Sequence, residues 1–176
     1  KTKSSYWNPI PTTIPPTSNA AGSKHGREFA IQNADFLFTP VSDLGRSSEE
    51  VQALKQDGLD AGRHTRVMTF SHVVCRETEA EAVAEWDRQL NNADEVAVDN
   101  LMNVMFAHAQ SFPHDIRQAL RDRMAVGHGG YPLVGTPVQV AQHIADLHEA
   151  GFSGTTLSFL DYNAEFPYFR DQVLPL

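Results

Sequence analysis

The 176 residues carry 14 Lys and Arg against 22 Asp and Glu, a formal net charge of −8. That length suits one domain with a real core, and an acidic balance with no basic stripe excludes a nucleic-acid binder, whose phosphate contacts need clustered Lys and Arg. A single cysteine, Cys75, excludes an internal disulfide and suits a reducing cytoplasm, and no apolar run approaches the roughly 18–20 residues of a membrane span.

Residues 1–16 carry Pro9, Pro11, Pro15 and Pro16, which forbids helix and predicts an extended lead-in; the stretch also lacks the apolar core of a secretory signal. Thr17–Ala21 reads as a short buried strand, followed at once by Gly22-Ser23 and a helix over residues 26–34 with Phe29 and Ala30 available for packing. Asp35–Thr39 reads as a fully buried strand that stops at Pro40. Ser47 and Glu50 form a capping box in front of a helix burying Val51 and Leu54 and fading near Gly58 or Gly62. Arg66–Val74 is rich in β-branched and apolar residues and makes the clearest strand.

Thr78 and Glu81 form a second capping box, opening a helix to about Leu90 with Val83, Trp86 and Leu90 on one side. Residues 93–128 read as a helical insertion with an apolar cluster at Leu101, Met102, Val104, Met105 and Phe106. Thr136-Pro137-x-Gln139 is a strong helix start, followed by Val140, Ile144 and Leu147 at i, i+4 and i+7, with Gly151 as the stop. Thr155–Leu160 is a last strand, and Phe166–Leu176 an amphipathic tail. Four strands alternating with helices imply parallel pairing. That order fits a small open α/β sheet or half of an eight-stranded barrel, which needs about 250 residues when complete.

The turn Asn19–Gly26 joins a strand to a helix. A helix N-terminus offers unpaired N–H groups and partial positive charge to a phosphate. Gly22 and Gly26 allow close backbone approach, Ser23 offers a hydroxyl and Lys24 a charge. The same residues also describe an ordinary βα turn in which Ser23 is only the N-cap. The spacing matches neither the dinucleotide fingerprint nor the P-loop.

Elsewhere the residues point to structure more than chemistry. None of the eight histidines sits in an HxH or HExxH arrangement, so metal binding has little support. His143 and His148 fall on the Gln139–Ala150 helix as solvent-facing residues. His72 reads as a core histidine, with a site-facing role as its alternative. Cys75 reads as a buried structural thiol. Ser71 and Ser158 lack the G-x-S-x-G elbow. Asp161 follows the last strand, where it either serves a site or caps the next turn. The Met and Phe cluster is either core, an oligomer interface or an apolar lid over a pocket.

Three stretches taken in order resemble the C-terminal half of the bacterial luciferase-like flavin monooxygenases, in the branch of the pyrimidine, dimethyl sulfone and alkanesulfonate monooxygenases. The first is Ala21-Gly22-Ser23-x-x-Gly26-Arg27-x-Phe29-Ala30 with Asn33-Ala34-Asp35-Phe36-Leu37-Phe38. The second is Val73-Val74-Cys75-Arg76-Glu77-Thr78-Glu79-Ala80-Glu81-Ala82. The third runs from Pro132-Leu133-Val134-Gly135-Thr136-Pro137-x-Gln139-Val140-Ala141 through Glu149-Ala150-Gly151-Phe152 and Leu157-Ser158-Phe159 to Val173-Leu174-Pro175-Leu176.

The resemblance implies an α/β fold, the C-terminal half of a TIM (β/α)8 barrel spanning 17–176. It implies a two-component monooxygenase using FMN, reduced by a separate NAD(P)H-dependent flavin reductase, to oxygenate a small organic substrate with dioxygen. Ser23 inherits the phosphate contact, supported by Gly22, Lys24 and Gly26, while catalytic residues at the flavin ring stay unassigned. Members of that family are about twice as long, so a missing N-terminal half-barrel, on the same or a separate chain, is an expected partner; self-association into a homo-oligomer is the other way to cover the open core. Two alternatives stay open: a deazaflavin-dependent oxidoreductase on the same barrel, and a non-catalytic module that binds flavin or a partner chain.

Overall fold

The computed structural model describes residues 15–20, 23–41, 43–105 and 114–176. The first fourteen residues of the expected lead-in lie outside that set, as do Ala21, Gly22 and the part of the insertion containing Phe106. Among the described residues, five strands form one parallel sheet: β1 (Ser18–Ala20), β2 (Phe36–Phe38), β3 (Arg66–Cys75), β4 (Tyr131–Gly135) and β5 (Gly154–Ser158). Seven helices connect and flank them: α1 (Lys24–Asn33), α2 (Leu44–Asp60), α3 (Glu79–Asn91), α4 (Glu95–Met105), α5 (His114–Gly127), α6 (Pro137–Glu149) and α7 (Tyr162–Gln172).

Ten-residue β3 organises the sheet by pairing with three strands. Its first residues, Arg66–Met68, pair with β2, Met68–His72 pair with β5, and Ser71–Cys75 pair with β4. A strand residue has one neighbour on each edge. Met68 pairs with both β2 and β5, and Ser71 and His72 pair with both β4 and β5, so β5 occupies one edge of β3 while β2 and β4 share the other. The order β1-β2-β3-β5 is thus sequential except for β4, which extends the sheet beside the carboxyl end of β3. β4 escaped the sequence reading because Tyr131-Pro132-Leu133-Val134-Gly135 is short and contains proline, a residue that demotes a strand assignment.

The two faces of the sheet differ. Leu37, Val67, Val73, Cys75 and Leu133 join Ala30, Ile31, Val51, Leu54, Val140, Leu147, Phe152, Phe169 and Val173 in the main core. On the other face His72 is closed over by α3 and α5, whereas Phe36, Phe38, Met68 and Phe70 stay partly exposed and Thr156 is exposed. β2 is therefore not fully buried as expected: only Leu37 is, because one side of this strand lacks a covering layer. β1 is likewise mostly exposed rather than buried. A second cluster, Val98, Met102, Leu120 and Met124, joins α4 to α5.

The helix starts explain themselves locally. Both expected capping boxes at Thr78/Glu81 and Thr136/Gln139 are present, with Pro137 in the first turn of α6. The Ser47/Glu50 box is not: α2 begins earlier, capped by Asp43, whose carboxylate accepts from the Arg46 N–H at 3.0 Å. Ser47 is instead a buried residue inside the helix. Asp43 is a good cap, and starting there adds the first turn of α2. In α3 the buried positions are Ala82 and Gln89, while Val83 is 46% exposed, so the helix is rotated from the expected Val83/Trp86/Leu90 face. Phe29, expected to pack, is exposed, and Ala30 is buried. α6 ends where expected: Gly151 adopts φ +99°, which a side chain at Cβ would strain.

Candidate active site

Parallel strands place every strand-to-helix turn at one edge of a sheet, the edge where barrels carry their chemistry. Among the described residues five such turns lead into helices capped by Ser23, Asp43, Thr78, Thr136 and Asp161. Asp161 accepts from the N–H groups of Asn163 and Ala164, so it caps α7; that helix starts earlier than the expected tail.

Ser23 is the N-cap of α1. Its Oγ accepts from the Gly26 N–H at 3.1 Å, leaving the hydroxyl proton free to donate outward. The first turn of α1 holds no acidic residue, and Ser23 and Lys24 are exposed while Gly26 is partly exposed. The N–H groups of Lys24 and His25 have no acceptor within the helix, as at any helix start. Arg27, one residue further, is ion-paired with Glu50 of α2. Ser23, Lys24 and Gly26 thus form one solvent-facing turn at the carboxyl end of β1; Gly22 lies outside the described residues.

A second constellation lies where β3, β5 and α3 meet. His72 is buried, with Nδ1 3.1 Å from Ser158 Oγ and Nε2 3.0 Å from Gln89 Oε1. Gln89 donates through Nε2 to Glu85 at 2.8 Å. Glu85 also accepts two hydrogen bonds from Arg88 at 2.7 and 2.6 Å, and Arg76 lies 3.7 Å away while donating to Glu165 at 2.7 Å. Hydrogen bonds from Arg88 hold the Glu85 carboxyl down at about 2 against the opposing effect of burial. Burial pushes the His72 imidazole below its usual range, with the Gln89 bond and the Glu165 charge opposing it. The sequence reading of His72 as a satisfied core histidine agrees with this geometry. Gln89 and Glu85 were missed, because a glutamine on a helix signals nothing until the fold sets it against a histidine.

Burial raises the Cys75 thiol to about 11, so it is a structural thiol and no nucleophile at neutral pH. His148 is exposed and His143 partly exposed on α6, near the expectation for both. On α4 and α5 a cleft of about 320 Å³ is lined by Asp99, Met102, Asn103, Arg117 and Arg121, and Arg121 is already paired with Glu95 and Asp99. Among the described residues no group of three His, Cys, Asp or Glu side chains could hold a metal, and no helix is long and apolar enough to cross a membrane.

The chain is 24% identical over 173 residues to the FMNH2-dependent dimethylsulfone monooxygenase of Pseudomonas fluorescens, covering 96% of this chain and 48% of that protein. It is 30% identical over 166 residues to the pyrimidine monooxygenase RutA of Acinetobacter baylyi, covering 89% and 44%. The chain therefore spans about half the length of the curated relatives it matches. Among solved structures it resembles DmoA from Hyphomicrobium sulfonivorans, with a TM-score of 0.74, 21% identity and coverage of 90% of this chain and 40% of that one. It also resembles the coenzyme F420-dependent tetrahydromethanopterin reductase of Methanopyrus kandleri, with a TM-score of 0.55, 15% identity and coverage of 91% and 50%. The parallel sheet with its alternating helices is the α/β architecture of half a TIM barrel. A model described as luciferase-like monooxygenase matches residues 2–154, and the chain belongs to that family.

Proposed function

We propose that this chain is the cofactor-phosphate half of an FMN-dependent two-component monooxygenase, with Ser23 as phosphate ligand and Gly22, Lys24 and Gly26 in support. The observation that carries the reading is the exposed, carboxylate-free start of α1 at the carboxyl end of β1. A phosphate there would take the Ser23 hydroxyl proton, the Lys24 and His25 N–H groups and the Lys24 ammonium. Reduced flavin, when bound, supplies the electrons that activate dioxygen for transfer to a small organic substrate. A separate flavin reductase supplies that reduced flavin, and the partly exposed face at Phe36, Phe38, Met68 and Phe70 is where an N-terminal half-barrel packs.

The test is a titration of the full-length protein with FMN and with riboflavin, which lacks the phosphate, followed by fluorescence quenching. Ser23→Ala weakens FMN by about tenfold and leaves riboflavin unchanged, as expected for one hydrogen bond to a charged group. Ser23→Asp preserves the cap, since Asp caps as well as Ser, yet repels phosphate and lowers FMN affinity further. Equal FMN affinity in the wild type and Ser23→Asp would mean that Ser23 is only a cap. The likeness to an F420-dependent reductase makes a deazaflavin the second reading, and parallel titration with that cofactor separates the two.

A further inference from the structure

We infer that Ser158 is a specificity-determining hydrogen-bond acceptor at the carboxyl end of the sheet, selecting small ligands that present an N–H or O–H group. Its proton is held inward by His72, which is positioned by Gln89 and Glu85. The inference rests on the proposed function only in placing the ligand at that end of the sheet.

The direction of every bond follows from Glu85. A carboxylate only accepts, so the Gln89 amide must turn its NH2 toward Glu85, as the 2.8 Å contact shows. Its carbonyl oxygen then faces His72 Nε2 at 3.0 Å, and that nitrogen must carry the proton. In the neutral imidazole, Nδ1 is left with a lone pair, 3.1 Å from Ser158 Oγ. The Ser71 carbonyl, 3.2 Å from the same oxygen, competes for the same hydroxyl proton. With one proton and two inward acceptors, Ser158 offers only lone pairs outward. Turning the proton toward a ligand acceptor would strip both inward acceptors of their shared donor, which is unfavourable in a buried site.

The surroundings keep the imidazole in that state. His72 is 3% exposed, whereas Ser158 is partly exposed, so the hydrogen-bonded chain runs from a buried ring to a partly exposed serine. A Cβ on Gly127 of α5 would lie 2.4 Å from His72 Cβ, showing how closely that helix seals the ring. One step earlier along the strands, Phe70 pairs with Thr156 on the same face, giving an apolar ring and a second hydroxyl beside the site.

The selectivity weakens on acidification. The charged groups linked to the ring are Glu85, reached through Gln89 and paired with Arg88 and Arg76, and Glu165 on α7, itself paired with Arg76; His128, exposed, follows Gly127 in the chain. Burial keeps the imidazole below its usual 6.5. Once His72 is protonated, Nδ1–H donates to Ser158 Oγ, and the hydroxyl proton is contested only by the Ser71 carbonyl and a ligand acceptor, so the selectivity weakens.

The experiment is calorimetric titration of the full-length FMN-loaded protein with uracil, which carries two N–H donors, and dimethyl sulfone, which carries only acceptors. Ser158→Ala reduces the preference for uracil over the sulfone by about tenfold at pH 7.5, Ser158→Thr retains it, and the wild-type preference holds down to pH 6.5 and declines only below it. Nitrogen-15 histidine spectra of the same protein without flavin report His72 as the Nε2–H tautomer. An Nδ1–H tautomer, an unchanged preference in Ser158→Ala, or no binding of uracil by the wild type overturns the inference. FMN quenching is scored separately, so failure of flavin binding counts against the proposed cofactor and leaves the tautomer readout standing.

Discussion

Gly127 shows how one missing side chain sets a site. Its backbone passes so close to His72 that a methyl group would sit at 2.4 Å from His72 Cβ, against atoms held by β3 on one side and α3 on the other. Gly127→Ala is therefore expected to destabilise the protein by about 1–3 kcal/mol, as overpacking does, despite the higher helix propensity of alanine. A denaturant titration checks it; a stabilised Ala variant would show that α5 is free to move off the ring. Cys75 makes the opposite point. With its thiol raised to about 11 by burial, it is expected to resist alkylation at pH 8 in the native protein and to react once the chain is unfolded. Mass spectrometry before and after denaturation distinguishes the two states.

At the scale of elements, the helix starts are where local sequence speaks most directly. The boxes at Thr78/Glu81 and Thr136/Gln139 each use four residues to satisfy two N–H groups, and both form as the spacing dictates. Thr136→Ala is expected to cost about 1 kcal/mol, lowering Tm by roughly 2–4 °C for a chain of this size, as thermal unfolding would report. Ser47/Glu50 had the same spacing and formed no box, because Asp43 capped the chain four residues earlier and Ser47 was drawn into the core. A capping signature specifies that a start is possible; which of two competing starts is used depends on what the first turn packs against. The rotation of α3 has a similar origin. Its apolar residue Val83 stays exposed because the polar Glu85 and Gln89 are engaged with Arg76, Arg88 and His72.

For the whole molecule, the polar chain under the sheet makes stability depend on acid. His72 binds its proton less readily when folded than when unfolded, so its contribution is complete above its unfolded value of 6.5 and declines as pH falls below it. Glu85, held at about 2, contributes fully above its unfolded 4.5 and loses that contribution as pH falls toward 2. Both slopes have the same sign. Stability is therefore expected to fall in two stages on acidification, and Glu85→Gln should reduce the lower one, to which Asp35 and Asp171 also contribute, in urea unfolding measured across pH. At this scale, too, the sheet has one face packed by helices and one on which Phe36, Phe38, Met68 and Phe70 stay partly exposed.

The alternation of four of the five strands with helices, the two capping boxes, the Gly151 stop and Ser23 as an N-cap were legible from the residues, because each depends on neighbours within a few positions. The ordered motifs also carried the family. Tertiary structure alone decided the rest. β4 exists because the carboxyl end of β3 leaves an edge for it, and the two faces of β2 differ because only one meets a helix. The Ser158–His72–Gln89–Glu85 chain joins residues 86, 17 and 4 positions apart in turn, across β3, β5 and α3, through hydrogen bonds whose directions depend on a register that no local pattern encodes.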